Sequence, residues 1–150
     1  MASFNQIVCP KCGTVNRVPV ERSANAARCG SCHQALFDAR PVAVDESGFE
    51  GHIRANSIPV LLDVWAPWCG PCRAMAPAFE RASAALEPHV RLLKLNADEA
   101  APNVSARLGV RGIPAMYLFR NGAVVAQTAG AMPAEAIVRW TRENLAARNF

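Results

Sequence analysis

The run Pro59-Val60-Leu61-Leu62-Asp63-Val64-Trp65 is of strand length and almost wholly apolar. It lacks the polar alternation of a half-exposed strand and predicts a central strand buried on both faces. Beyond it, Met75, Phe79, Ala82 and Leu86 recur at helical spacing in a pattern that begins at Cys69, with a kink expected at Pro77. Val90 to Leu95 reads as another strand and Asn103 to Leu108 as a helix. Ala115 to Phe119 and Ala123 to Thr128 flank Asn121-Gly122, a dipeptide suited to a tight hairpin because both central residues of such a turn need positive φ. A closing helix from about Ala134 to Ala147 turns Ile137, Val138, Trp140, Thr141 and Leu145 toward the sheet. Upstream, Pro41 to Val44 predicts a short strand, and Asp45 or Ser47 caps a helix reaching about Ala55. Parallel strands with crossover helices, then a hairpin and a helix, make an α/β sandwich.

The first forty residues follow different rules. Their apolar material is sparse, Val18, Val20, Leu36 and Phe37 among it, too little for a core of their own. They carry Cys9-Pro10-Lys11-Cys12 and Cys29-Gly30-Ser31-Cys32, two Cys-x-x-Cys pairs sixteen residues apart. That spacing suits a tetrahedral site for one zinc ion, whose binding would supply the folding energy the segment lacks. Four thiolates leave no open position for substrate or water, so the zinc is expected to be structural, and His33, next to Cys32, is not needed as a ligand. Asp38 to Pro41 is the natural boundary between a zinc ribbon at 1–40 and a larger domain at 41–150.

The third pair, Cys69 and Cys72, lies in Trp68-Cys69-Gly70-Pro71-Cys72, where the central strand gives way to the helix. At a helix N-terminus the first sulfur meets unpaired backbone N–H groups and the positive end of the helix dipole, so it ionises more readily than a free thiol. The second sulfur, one turn inward, can resolve the mixed disulfide that the first forms with a target. Gly70 lets a partner chain approach and Pro71 sits where its missing N–H costs nothing. Asp63, the one charge on the buried strand, invites a reading as a desolvated carboxyl with a raised pKa that exchanges protons near neutral pH.

Leu61 to Arg73, then Met75-Ala76-Pro77, Lys94-Leu95-Asn96, Gly112-Ile113-Pro114 and Phe119-Arg120-Asn121-Gly122 resemble the thioredoxin signature in content, order and spacing. Departures are mild: Pro67 where many members are polar, Arg73 where many have lysine, and Ala115 where threonine commonly follows the proline. With the metal-binding extension, the chain looks like the zinc-ribbon-bearing bacterial thioredoxin 2 group. The resemblance implies a thioredoxin fold, a central mixed β-sheet flanked by helices, preceded by a small ribbon. It further implies a protein-disulfide reductase in which Cys69 attacks, Cys72 resolves, Asp63 accepts the proton of Cys72 and Lys94 modulates Asp63. By the same resemblance the bond before Pro114 is cis and the Ile113 backbone pairs with an extended target, while Gly112, Pro114 and Gly130 line a shallow groove with Trp68. No organic cofactor is expected on the chain; reducing equivalents would come from NADPH through a thioredoxin reductase.

The formal net charge of +4 hints at nucleic acid. Five basic and two acidic residues fall in the first forty, and zinc-bound thiolates would remove most of that excess. No dense basic stripe remains, and a nucleic-acid partner is not expected. Residues 1–8 are too short and polar for a signal-peptide core and no run is long enough for a membrane span, which points to a cytoplasmic protein; a monomer is expected, and the resemblance implies disulfide-bearing proteins as its substrates. Trp65 and Trp140 read as core, and His52 and His89 as surface residues. The competing reading is a redox-regulated zinc-ribbon binding module, chaperone or sensor, in which the dithiol only reports oxidation.

Overall fold

The computed structural model describes residues 3–99 and 102–147. The central strand forms as its composition requires. β4 in chain order (Val60–Trp65) is buried over five of its six residues, with β5 (Arg91–Asn96) parallel on one side and β6 (Ala115–Arg120) antiparallel on the other. β3 (Val42–Val44) pairs parallel with β5, and β7 (Ala123–Ala129) antiparallel with β6, giving the order β3-β5-β4-β6-β7. The turn between β6 and β7 uses Asn121 and Gly122 at φ of 52° and 79°, the backbone expected of that dipeptide.

Side chains alternate across the sheet and sort into two layers. Leu62, Val64, Leu93, Leu95, Tyr117 and Phe119 pack beneath α1 (Glu46–Ala55) and α3 (Pro102–Leu108). On the other face Leu61, Leu92, Met116 and Leu118 meet Met75, Phe79 and Leu86 of α2 (Gly70–Leu86) and Ile137 of α4 (Ala134–Ala147). Asp63 and Lys94, opposite one another in the β4–β5 register, share the parity of Leu61 and Leu92 and so belong to the α2 layer. Asp45 caps α1, its side chain accepting from Gly48 N–H at 2.8 Å. α2 runs continuously through Pro77. No helix among the described residues is long and apolar enough to cross a membrane.

At the N-terminus β1 (Phe4–Val8) and β2 (Val15–Pro19) form an antiparallel hairpin that the sequence pattern does not announce. Its core is Ile7, Val18, Leu36 and Phe37 with Cys9 and Cys29, completed by Ile58 from the segment leading into β4. Val20, expected to contribute, is exposed instead; Ile7 fills that role. His52 is a second correction. It is 4% exposed, because the ribbon covers the end of α1. Asn56 bridges the two units, donating to Nδ1 of His52 and accepting from Val8 N–H, both at 2.8 Å. Burial drives the His52 pKa down to about 3, with the Arg91 charge adding to the effect, so the ring is neutral throughout the physiological range.

Arg91 is the largest of these junction groups. At 1% exposure its Nη2 donates to the carbonyls of Val8 at 3.1 Å and Leu36 at 2.8 Å, and its guanidinium lies 4.3 Å from the centre of the Phe37 ring. Ser57 returns hydrogen bonds to β1, its N–H donating to the Gln6 carbonyl while Oγ accepts from Gln6 N–H. Glu87 at the end of α2 accepts from Ala39 N–H at 2.9 Å, and that linker residue has φ of 65°. The ribbon and the α/β unit therefore share buried polar partners as well as apolar ones.

Candidate functional sites: a zinc knuckle pair and a dithiol

Two knuckles with matching backbones bring the four ribbon sulfurs together. In the first, Lys11 N–H points at Cys9 Sγ (3.4 Å) and Gly13 N–H bonds the Cys9 carbonyl; in the second, Ser31 N–H points at Cys29 Sγ (3.4 Å) and His33 N–H bonds the Cys29 carbonyl. Cys9 and Cys32 sulfurs are 3.6 Å apart, as are those of Cys12 and Cys29, and all four lie within 4.8 Å of one another. A tetrahedron of Zn–S bonds of about 2.3 Å requires sulfur separations of about 3.8 Å, so the residues fit the ion. Inward N–H groups stabilise thiolate charge, as metal ligation needs.

The match between the knuckles explains His33. It occupies the position of Gly13 and, like it, has positive φ, 67° against 79°. A side chain with a Cβ is strained there, and His33 is not part of the ligand cluster. His33→Gly is expected to retain one zinc per chain and to raise the free energy of zinc-coupled unfolding by about 0.5–1 kcal/mol, measured by thermal denaturation at fixed zinc. Cys9→Ser should lower the zinc content sharply.

The second site sits where β4 delivers the chain to α2. Cys69 is the N-cap residue, its Sγ accepting from Cys72 N–H at 3.2 Å, with Gly70 and Pro71 opening the first turn. Cys69 and Cys72 form a disulfide with Cα atoms 5.3 Å apart, and both are buried, packed with Ala66, Trp65 and Ile113. Arg73 donates to the Pro67 carbonyl at 2.6 Å and braces the loop.

The Ile113-Pro114 bond is cis, and the Ile113 carbonyl oxygen lies 3.8 Å from Cys69 Sγ. Gly112 precedes it, and Gly130 N–H bonds the Pro114 carbonyl at 2.9 Å. Trp68, 67% exposed, flanks the sulfurs, its indole N–H donating to Asp98 at 3.1 Å. The residues singled out from the sequence thus converge on one end of the sheet. The ribbon covers the other end, five residue steps of β4 away, or about 16 Å.

Asp63 is 1% exposed and its Oδ1 has no hydrogen-bond partner among the described residues. Desolvation pushes its pKa up to about 7, against the opposing pull of Lys94. Lys94 Nζ lies 4.8 Å from the centre of the Trp65 ring, and Trp65 itself is only half-buried. Asp98 was the partner that sequence reasoning missed; no spacing rule links it to Trp68.

A redox-active Cys-x-x-Cys capping a helix that follows a central strand, faced by a cis-proline loop, defines a thiol–disulfide oxidoreductase. Family models agree: Thioredoxin matches residues 40–143, and "Thioredoxin 2, N-terminal", a zinc ribbon, matches residues 8–34. Thioredoxin C-3 of Corynebacterium nephridii is 41% identical over 139 residues, spanning 93% of this chain and 94% of that protein. The chloroplastic M-type thioredoxin of Chlamydomonas reinhardtii is 35% identical over 131 residues, covering 85% and 93%. The crystal structure of a chloroplastic thioredoxin z superposes with a TM-score of 0.64 over 71% of this chain and 96% of that one, at 24% identity, a likeness of fold. The chain belongs to the thioredoxin family, with the zinc-ribbon extension of the thioredoxin 2 group, and is a protein-disulfide oxidoreductase.

Proposed function

We propose that the chain is a protein-disulfide reductase in which Cys69 is the nucleophile and Cys72 the resolving thiol. The observation that carries the assignment is the capping geometry: Cys72 N–H donates to Cys69 Sγ at the N-terminus of α2, where a Cys69 thiolate is stabilised in the reduced enzyme, whereas Cys72 lies inside the helix. The Cys69 thiolate attacks one sulfur of a target disulfide, forming a mixed disulfide and expelling the other target sulfur as a thiolate. Cys72 gives its proton to Asp63 and attacks Cys69 Sγ, and the second target sulfur leaves. Two electrons pass from the dithiol to the target, which ends with two thiols.

Asp63 suits the proton step because a carboxyl with a pKa of about 7 is partly ionised at neutral pH and loses little by gaining a proton. Lys94, on the same face of the sheet, tempers that value. The backbone of Ile113, with Gly112, Pro114, Gly130, Trp68, Gly70 and Pro71 around it, receives the target as an added extended segment. One zinc held by Cys9, Cys12, Cys29 and Cys32 stabilises the ribbon, for which we take residues 1–40, with the thioredoxin domain at 41–150; the ends at 1–2 and 148–150 lie outside the described residues. The chain works as a cytoplasmic monomer, re-reduced by an NADPH-dependent thioredoxin reductase.

A coupled assay tests this reading. With NADPH, a thioredoxin reductase and insulin, the chain should consume NADPH catalytically, and Cys69→Ser should reduce turnover by at least about a thousandfold, since the nucleophile is lost. Turnover that survives Cys69→Ser contradicts the assignment.

A further inference from the structure

Beside the target groove lies a cavity of about 540 Å3 that none of the proposed chemistry uses. It opens on the α3 side of the sheet, between the end of α3 at Leu108 and the edge strand β7. Gly112 forms part of its rim, and Ala129 on the opposite wall adjoins Gly130. The cavity is therefore continuous with the loop on which an extended target would be held.

Its lining carries one cation, Arg111, and no carboxylate. Arg111 is exposed and makes no ion pair among the described residues. Tyr117 is 4% exposed, yet its hydroxyl has no hydrogen-bond partner among the described residues, and the ring borders the cavity. The Gln127 amide completes a polar lining over a floor that includes Ala115, while Thr128, paired with Met116, turns its side chain to the other face of the sheet. The Tyr117 oxygen is not one of the buried unpartnered side-chain atoms and so opens on the cavity, where it can donate to a ligand acceptor. A guanidinium, a phenol and an amide around one opening match a carboxylate, which only accepts hydrogen bonds.

We propose that this cavity is a specificity subsite that takes a glutamate or aspartate side chain of the target, close in sequence to the cysteine being attacked. The proposal rests on the reading of Ile113 as the residue that pairs with the target. An extended chain advances about 3.3 Å per residue and alternates its side chains, so a residue two to four positions from the target cysteine reaches past Gly112. Arg111 supplies the charge at the mouth and Tyr117 a neutral donor within; burial keeps the phenol protonated. Neither residue touches the reacting sulfurs, and both act by holding substrate.

The test uses the full chain and disulfide-bonded peptides that differ at a single position, glutamine or glutamate, placed two, three or four residues from the attacked cysteine. The readout is the ratio of kcat/KM for the glutamate peptide to that for its glutamine twin, within each protein. At low salt one position is expected to favour glutamate by about threefold, through KM, the size of a solvent-accessible ion pair. The ratio should fall to about one in Arg111→Gln and decline in Tyr117→Phe. A ratio of one at every position in the unsubstituted protein, or a preference that persists in Arg111→Gln, overturns the subsite while leaving reduction of the glutamine peptides intact. Failure to reduce either twin removes the reductase reading as well.

Discussion

Asp63→Asn should make the protein more stable at pH 8 and a slower reductase. The folded-state pKa of Asp63 is raised to about 7 from an ordinary value near 3.8. Between those values the folded chain binds a proton that the unfolded chain does not, so stability falls as pH rises through that window. Above pH 7 the penalty of holding a desolvated carboxylate is fully expressed, and three pH units correspond to about 4 kcal/mol. Asparagine removes the charge at similar volume. Urea denaturation of the oxidised proteins should show the variant ahead by about 2–4 kcal/mol at pH 8 and the gap closing toward pH 4. The same substitution should slow release of the mixed disulfide more than the first attack, because the carboxylate serves Cys72. A stability gap independent of pH would mean that Asp63 is not the titrating group.

Arg91→Ala should cost the full-length protein about 3 kcal/mol or more. Two buried ribbon carbonyls, of Val8 and Leu36, lose their donor, and unsatisfied buried groups cost about 1–3 kcal/mol each. The vacated space beside Phe37 adds a cavity term. Thermal unfolding should begin roughly 6–12 °C lower, with faster loss of zinc to a colorimetric chelator, because the freed carbonyls lie one residue from Cys9 and at the ribbon's own core residue Leu36. Arg91→Lys should recover only part of the loss, since an ammonium lacks the planar group that lies over the Phe37 ring. A midpoint within about one degree of the parent would mean that the ribbon is not held by this arginine.

The dithiol and the zinc ligands were legible because their chemistry is local. Two cysteines one turn apart at a strand-to-helix junction, or two Cys-x-x-Cys pairs at ribbon spacing, declare themselves within a short window of sequence. Asp63 was legible for a related reason: a single charge in a run of buried apolar residues has to be explained. The cis bond before Pro114 came from the resemblance alone; nothing in the residues around it distinguishes it from a trans bond.

What escaped the sequence is the junction between ribbon and sheet. His52 sits on a helix whose polar face would ordinarily meet water, and Arg91 begins a strand as many exposed arginines do. Both are buried by a segment that lies far away in the chain, Val8 and Arg91 being 83 positions apart. Periodicity reports which side of an element is apolar and is blind to a neighbour that covers a polar end. Asn56, Ser57 and Glu87 were silent for the same reason. Each holds a backbone N–H of the ribbon or linker, and a backbone partner leaves no mark on composition. His33 was visible as a residue but not as a left-handed one, because only the superposition of its knuckle on that of Gly13 reveals the constraint.

Trapping is the most direct test of the division of labour between the two cysteines. Cys72→Ser, incubated with a cell extract after reduction and removal of free thiols, should accumulate covalent complexes that survive denaturing washes and dissolve on adding a strong thiol reductant. The double variant Cys69→Ser, Cys72→Ser should trap nothing, and peptide sequencing of the adducts should find every link at Cys69. If Cys69→Ser traps targets through Cys72 while Cys72→Ser traps none, the roles assigned from the capping geometry are reversed and the account is wrong at its centre.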